Sequence, residues 1–264
     1  MQALSPLNWW SQVRLVRWRR LANQIDARSG EWERQDDEEL RRLSRELGWK
    51  AKSGVPLKKL LPDAFGLVRE AARRTTGMTP FLVQLMGGMA MFEGGIAEMQ
   101  TGEGKTLTAV LSAYLRALTG KGCHIVTVND YLAGRDAEEM GPIYQSLGLT
   151  VGCIQTPMEA DERRAAYACD VTYGTAKEMG FDFLRDQLRQ GIARGAIDRH
   201  GLLETEPGAA PAESPAQRGH HFALIDEADS AYAPITSVEQ VGDTLILGSL
   251  ERAAIGRLAA PTLP

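Results

Sequence analysis

The stretch EMQTGEGKTLTAV, residues 98–110, sets Gly102, Gly104, Lys105 and Thr106 directly before an apolar run. Glycine reaches backbone dihedrals closed to other residues and lets a ligand approach the main chain, so a glycine turn can aim several N–H groups at one oxyanion. A helix that starts there adds partial positive charge at its N-terminus. A lysine in the next position reaches the β- and γ-phosphates of a nucleotide as a point charge, and the following hydroxyl is a magnesium ligand. The pattern therefore points to ATP with Mg²⁺, cradled by Gly102, Glu103, Gly104, Lys105 and Thr106. One feature departs from the usual motif: the slot five residues before Gly104 holds Met99 instead of glycine.

A second group lies about 120 residues further on. HFALIDEADS is an apolar strand that ends in Asp226, Glu227, Ala228 and Asp229. An aspartate at the carboxyl end of a buried strand near a phosphate loop holds Mg²⁺ through water. Asp226 is thus the expected metal-holding carboxylate, together with Thr106. Glu227 is the expected base that orients and deprotonates a lytic water. Lys105 is expected to serve the reaction as well as the binding.

These groups need a scaffold. Residues 1–50 read as helical and highly charged. Trp9, Val13 and Val16 share one face, Trp18, Leu21 and Ile25 another, and the two faces do not coincide. DDEELRRLSRELGWK puts acids first and bases later, which suits a helix dipole, and SGVP at 53–56 ends it. DAFGLVREAARRTTG gives another helix that stops near Gly77. From Ile96 the pattern changes to short apolar strands alternating with helices, expected at 96–99, 124–128, 150–154, 171–173 and 222–225. That alternation means βαβ units, an α/β fold with a parallel sheet flanked by helices. The expected organisation is a charged helical region at 1–60 and a nucleotide-binding domain at 61–230. A Pro/Ala-rich flexible insertion falls at 204–219, and a short tail at 231–264 carries one more strand at 244–249.

Composition narrows the classes. The net charge is −4, which does not suit a dedicated nucleic-acid binder. The three cysteines, Cys123, Cys153 and Cys169, fit no zinc spacing and read as small buried hydrophobes in a reducing compartment. His220 and His221 read as ordinary loop residues. No apolar run approaches the ~18 residues of a membrane span, and the N-terminus lacks a signal-peptide core. The chain reads as cytosolic.

The runs IAEMQTGEGKTLTAVLSAYLRALTGKG, VTVNDYLAGRDAEEMGPIYQSLGLTVG, DVTYGTAKEMGFDFLRDQL and FALIDEADS resemble SecA, the ATPase motor of bacterial protein export. The likeness covers roughly residues 65–230. VTVNDYLAGRD and the TYGT…GFDFLRD pair are more specific than the phosphate loop, and the family also lacks glycine at the position of Met99. The resemblance implies a RecA-like first motor domain, with Gln84 in FLVQLMGG at the adenine edge. It also implies preprotein and the SecY-type translocation channel as partners, and places Asp130 and Arg135 in a segment that communicates with substrate in related motors. It implies a second RecA-like domain with an arginine finger, missing from these 264 residues or supplied in trans. A finger is worth ~10³–10⁵ in rate, about 4–7 kcal/mol of barrier, so the expectation is MgATP binding with slow turnover alone.

Arg14, Arg17, Arg19 and Arg20 lie among Trp9, Trp10 and Trp18, and no acid precedes Asp26. At ~1 kcal/mol per basic residue, about 4 kcal/mol of attraction to an anionic membrane is expected, roughly millimolar. That describes peripheral, reversible association at the inner face of the cell membrane; the other reading is a helix packed on the domain through its tryptophans. Two further functional readings stay open on sequence: a non-hydrolytic ATP-binding remnant, and half of a DEAD-box nucleic-acid helicase.

Overall fold

The computed structural model describes residues 6–100, 102–193, 215–226, 235–241, 244–249 and 256–259. Four helices come first: α1 (Pro6–Ala27), α2 (Ser29–Glu33), α3 (Asp37–Lys52) and α4 (Leu57–Thr76). Asp36 caps α3 by accepting from the Glu39 N–H at 2.8 Å, and acids crowd its first turn, as the dipole favours. Helix α4 ends where Gly77 turns left-handed at φ 70°. In α1, Ala22 and Ile25 are fully buried and Trp18 and Leu21 half-buried, while Val13 and Val16 of the other expected face are exposed.

Helix α5 (Leu82–Phe92) and helix α6 (Lys105–Ala117) follow. Leu107 to Leu115 are all buried, so α6 is enclosed on every side, which matches its nearly continuous apolar sequence. Its Tyr114 hydroxyl donates to Ser44 at 2.7 Å inside the core, which ties α6 to α3. One cluster of buried side chains runs from Ala22 and Ile25 through Phe65, Leu111 and Tyr144 to Leu224. The N-terminal helices and the sheet thus share a core.

The remaining elements alternate: β1 (Cys123–Thr127), α7 (Asp130–Ser146), β2 (Val151–Cys153), α8 (Ala160–Ala168), β3 (Val171–Thr175), α9 (Ala176–Ala193), β4 (Ala223–Ile225). Then come β5 (Ile235–Val241), β6 (Thr244–Ser249) and β7 (Gly256–Ala259). The sheet order is β2-β3-β1-β4-β5-β6-β7. The first four strands are mutually parallel, as the βαβ pattern requires, and β5, β6 and β7 continue antiparallel from β4.

One expected strand does not form. Residues 96–99, read from sequence as the strand that delivers the phosphate loop, run without a sheet partner. A strand exists only through pairing, and the edge of β4 away from β1 is bonded to β5, Ala223 opposite Val238 and Leu224 opposite Ser237. Apolar alternation alone could not report which neighbour holds that edge.

Candidate functional site

The glycine turn has the backbone its composition calls for. Gly102 sits at φ 87° and Gly104 at φ 77°, ψ 44°, both left-handed, and Gly104 is the residue from which α6 starts. A Cβ on Gly104 would run into the Gln84 amide nitrogen, so both the dihedral and the space exclude a side chain. The turn is braced twice more: the Glu103 N–H donates to the Gln100 carbonyl at 3.2 Å, and the Gln100 N–H donates to the Glu103 carboxylate at 2.7 Å. Thr108 donates its hydroxyl to the Gly104 carbonyl at 2.9 Å, one turn into the helix.

Lys105 and Thr106 are the first two residues of α6 and both are half-buried. Among the described residues no carboxylate forms an ion pair with Lys105. An ammonium beside a helix N-terminus and left-handed glycines has the charge and the setting that an anion site requires.

Gln84 is 5% exposed. Its Nε2 donates to the Glu103 carbonyl at 2.8 Å, and its Oε1 accepts from the Phe81 N–H at 2.8 Å, closing the first turn of α5. The side chain joins α5 to the glycine turn directly. Gln84, Gly102, Glu103 and Gly104 share one cavity of 970 Å³, whose apolar walls include Phe81, Met86 and Ile96.

Asp226 stands on a different element. It follows β4, beside β1 in the sheet, and its N–H donates to the Val126 carbonyl at 2.8 Å. Asp226, Lys105 and Thr106 are not among the residues that line the cavity. Glu227 lies outside the described residues. The donor set of Thr106 hydroxyl and Asp226 carboxylate is all oxygen, which fits Mg²⁺ and not a soft metal. Among the described residues no cluster of three or more His, Cys, Asp or Glu side chains could hold a metal without a ligand's help.

The SecA DEAD-like domain family matches residues 5–233. The chain belongs to that family. It is 46% identical over 245 residues to the protein translocase subunit SecA 2 of Rhodopirellula baltica, covering 92% of this chain and 36% of that relative. It is 53% identical over 216 residues to the protein translocase subunit SecA 2 of Streptomyces avermitilis, covering 82% of this chain and 21% of that relative. The chain thus spans between about a fifth and about a third of the length of these curated relatives.

Several features of this SecA-family chain were not visible in its motifs. Arg163 is 5% exposed and forms ion pairs with Glu178 at 2.6 Å and Asp182 at 2.8 Å, both on α9. Hydrogen bonding to Arg163 holds the Glu178 carboxyl below its ordinary range. Tyr167 donates its hydroxyl to Asp182 at 2.9 Å, and burial pushes that phenol's pKa up. His220 lies in the loop before β4, as read from sequence; its Nε2 lies 2.7 Å from Gln217 Oε1, and its ring packs edge-on to Phe183. Beside it His124 is buried, and desolvation lowers its pKa to about 4. Arg135 pairs with Asp136 at 2.6 Å, and Asp130 accepts from the Thr156 N–H at 3.2 Å. No helix among the described residues is long and apolar enough to cross a membrane.

Proposed function

We propose that this chain is the first nucleotide-binding half of a SecA-type protein-export motor, which binds MgATP and hydrolyses it slowly without a partner domain. The observation that carries this reading is the left-handed Gly102–Gly104 turn opening onto the N-terminus of α6, with Lys105 and Thr106 as that helix's first residues. In this reading the backbone N–H groups around Gly104 and the Lys105 ammonium hold the β- and γ-phosphates. Thr106 and Asp226 hold Mg²⁺, whose charge, when bound, offsets the negative charge of the transferring phosphoryl group. Glu227 orients the attacking water and takes its proton.

Gln84 supports adenine in particular. Its amide carries two donor hydrogens and two acceptor lone pairs. The contacts to Glu103 and Phe81 use one of each. One donor and one acceptor remain, the complement of an adenine edge with its N6 donor and N7 acceptor. The apolar walls of the adjoining cavity suit a purine face.

Partners follow from the family. The relatives are named protein translocase subunits, and the partners proposed for this chain are a preprotein, a SecY-type channel and an anionic membrane surface met by the arginines of α1. Localisation is proposed as cytoplasmic, peripheral at the inner face of the membrane. No nucleic-acid partner is proposed. The test is equilibrium dialysis of ATP with and without Mg²⁺, beside phosphate release. Wild type is expected to bind MgATP, and Lys105→Ala to weaken it about 100-fold, roughly 2.7 kcal/mol. Turnover is expected to be slow and lost in Glu227→Gln. A wild-type chain that binds no MgATP ends this reading.

A further inference from the structure

Strand β4 carries Asp226 to its place, yet it is short. It pairs with β1 over three residues, His124 opposite Ala223, Ile125 opposite Leu224 and Val126 opposite Ile225. The His124 N–H adds a bond to the Phe222 carbonyl at 3.0 Å. On its other edge β4 meets β5 at two positions, Ala223 opposite Val238 and Leu224 opposite Ser237. The buried Phe222 and Leu224 favour one face, but the paired stretch is short, and a slip of one residue would turn every side chain to the opposite face. Asp226 would then leave the end of the sheet where a metal-holding carboxylate is needed. The chain enters β4 straight from a Pro/Ala-rich run, which offers no register of its own.

The residues that do fix the entry lie on α9 and α8. Asp186, 4% exposed, accepts from two successive backbone N–H groups, Ala216 at 2.8 Å and Gln217 at 2.9 Å. Gln217, 7% exposed, sends its Nε2 to the Met179 carbonyl at 2.9 Å and to the Tyr167 hydroxyl at 3.2 Å. Its Oε1 meets His220 Nε2 at 2.7 Å, and Arg218 donates to the Cys169 carbonyl at 2.6 Å. The receiving helix is itself immobilised, since Arg163 bonds both Glu178 and Asp182 one and two turns before Asp186. These bonds tie residues 216–220 to α8, α9 and the backbone after α8 at several points, which narrows the geometry the segment can adopt.

We propose that Asp186 and Gln217 form a latch that sets the register of β4, and that both are positioning residues for the Asp226 carboxylate at the magnesium end of the nucleotide site. The proposal rests on the reading of Asp226 given above. It also separates the site from the run upstream: whatever the Pro/Ala-rich segment does, its last residues are clamped before β4 begins.

The test uses the whole chain and two readouts. Hydrogen exchange of the nucleotide-free protein compares the amides of Leu224–Asp226 with those of Leu107–Leu115 in α6. Asp186→Asn, which turns one acceptor into a donor facing an N–H, is expected to speed β4 exchange at least 10-fold and leave α6 unchanged. ATP binding is then measured in EDTA and in saturating Mg²⁺. The expected result is that the gain from Mg²⁺ falls about 10-fold while ATP affinity in EDTA stays as in wild type. Gln217→Ala, which keeps the backbone contacts, is expected to move both readouts the same way by less. Unchanged β4 exchange in the folded variants overturns the latch. So does an equal rise in α6 and β4 with an equal loss of ATP affinity in both conditions, because that describes only a weakened fold. If wild type binds no MgATP, the reading of the site fails, and the exchange comparison alone decides whether the latch holds β4.

Discussion

The glycine turn and the α8–α9 cluster are both polar regions, but they are built in opposite ways. At the turn, Gly102 and Gly104 take positive φ angles before α6 starts, Lys105 has no carboxylate partner among the described residues, and one side opens onto a 970 Å³ cavity. At the cluster, Arg163, Asp182 and Asp186 are each about 5% exposed or less, and each is engaged by oppositely charged groups or by backbone N–H groups. The difference teaches where charge can be left unpaired. A site that receives a polyanion keeps its positive potential unneutralised and aims it with backbone geometry. A site that holds position must pair every buried charge, because an unpaired one costs several kcal/mol.

The comparison breaks most sharply at Arg163. Arg163→Met strands Glu178 and Asp182 in the interior and is expected to cost about 3–5 kcal/mol, a fall in Tm of roughly 10 °C. A thermal melt that moves by less than ~2 °C would mean that the cluster is wet and no tighter than the turn.

Acid is expected to act on the same region next. The folded-state pKa of His124 is lowered to about 4 by burial, with His220 and Arg218 adding repulsion. The unfolded chain therefore binds the extra proton between about pH 6.5 and pH 4, and stability falls as pH drops through that window. The loss is on the order of 3 kcal/mol. Glu178, held low by Arg163, adds to the same acid limb below the usual carboxylate range. Urea titrations from pH 7 down through the carboxylate range should show that His124→Phe flattens the upper part of the limb and leaves the lower part.

At the turn the expected effect is smaller on stability and larger on binding. Gln84→Ala removes one neutral bond to Glu103 and the cap on Phe81, about 1–2 kcal/mol of stability, and with them the adenine-edge pair. Its ATP affinity should fall toward that of tripolyphosphate, measured in competition. Equal affinities of wild type and variant for ATP would take Gln84 out of the base site.

The smallest effect serves as the control. Arg42 pairs with Glu39 at 2.7 Å on α3, half-exposed and outside both regions. Arg42→Ala should leave the denaturant midpoint close to that of wild type, with the little that is lost disappearing at high salt.

Much of this was legible in the sequence because it is local. Gly102, Gly104, Lys105 and Thr106 announce their conformation and chemistry within five positions. The apolar runs of α4 and α6 and the alternation from β1 to β4 follow from burial on one or all sides. Other features were illegible because their partners are remote. Helix α9 turns its acids Glu178, Asp182 and Asp186 inward while Phe181, Leu184 and Leu188 are exposed. The inversion depends on Arg163 and on the backbone at Ala216 and Gln217, up to 31 residues from their partners on α9. The segment 96–99 misled in the other direction, with strand-like residues and no strand to pair.

The sequence by itself determined a left-handed glycine turn, the helix that follows it, the parallel βα order and the carboxylate that follows β4, since each is a property of adjacent residues and their solvation. Only the tertiary structure decided that Gln84 is bonded to the turn, that the edge of β4 belongs to β5, and that a buried arginine turns the acids of α9 inward. Those outcomes depend on which groups meet across space, and a charge or an edge has no preferred state until its partner is in place.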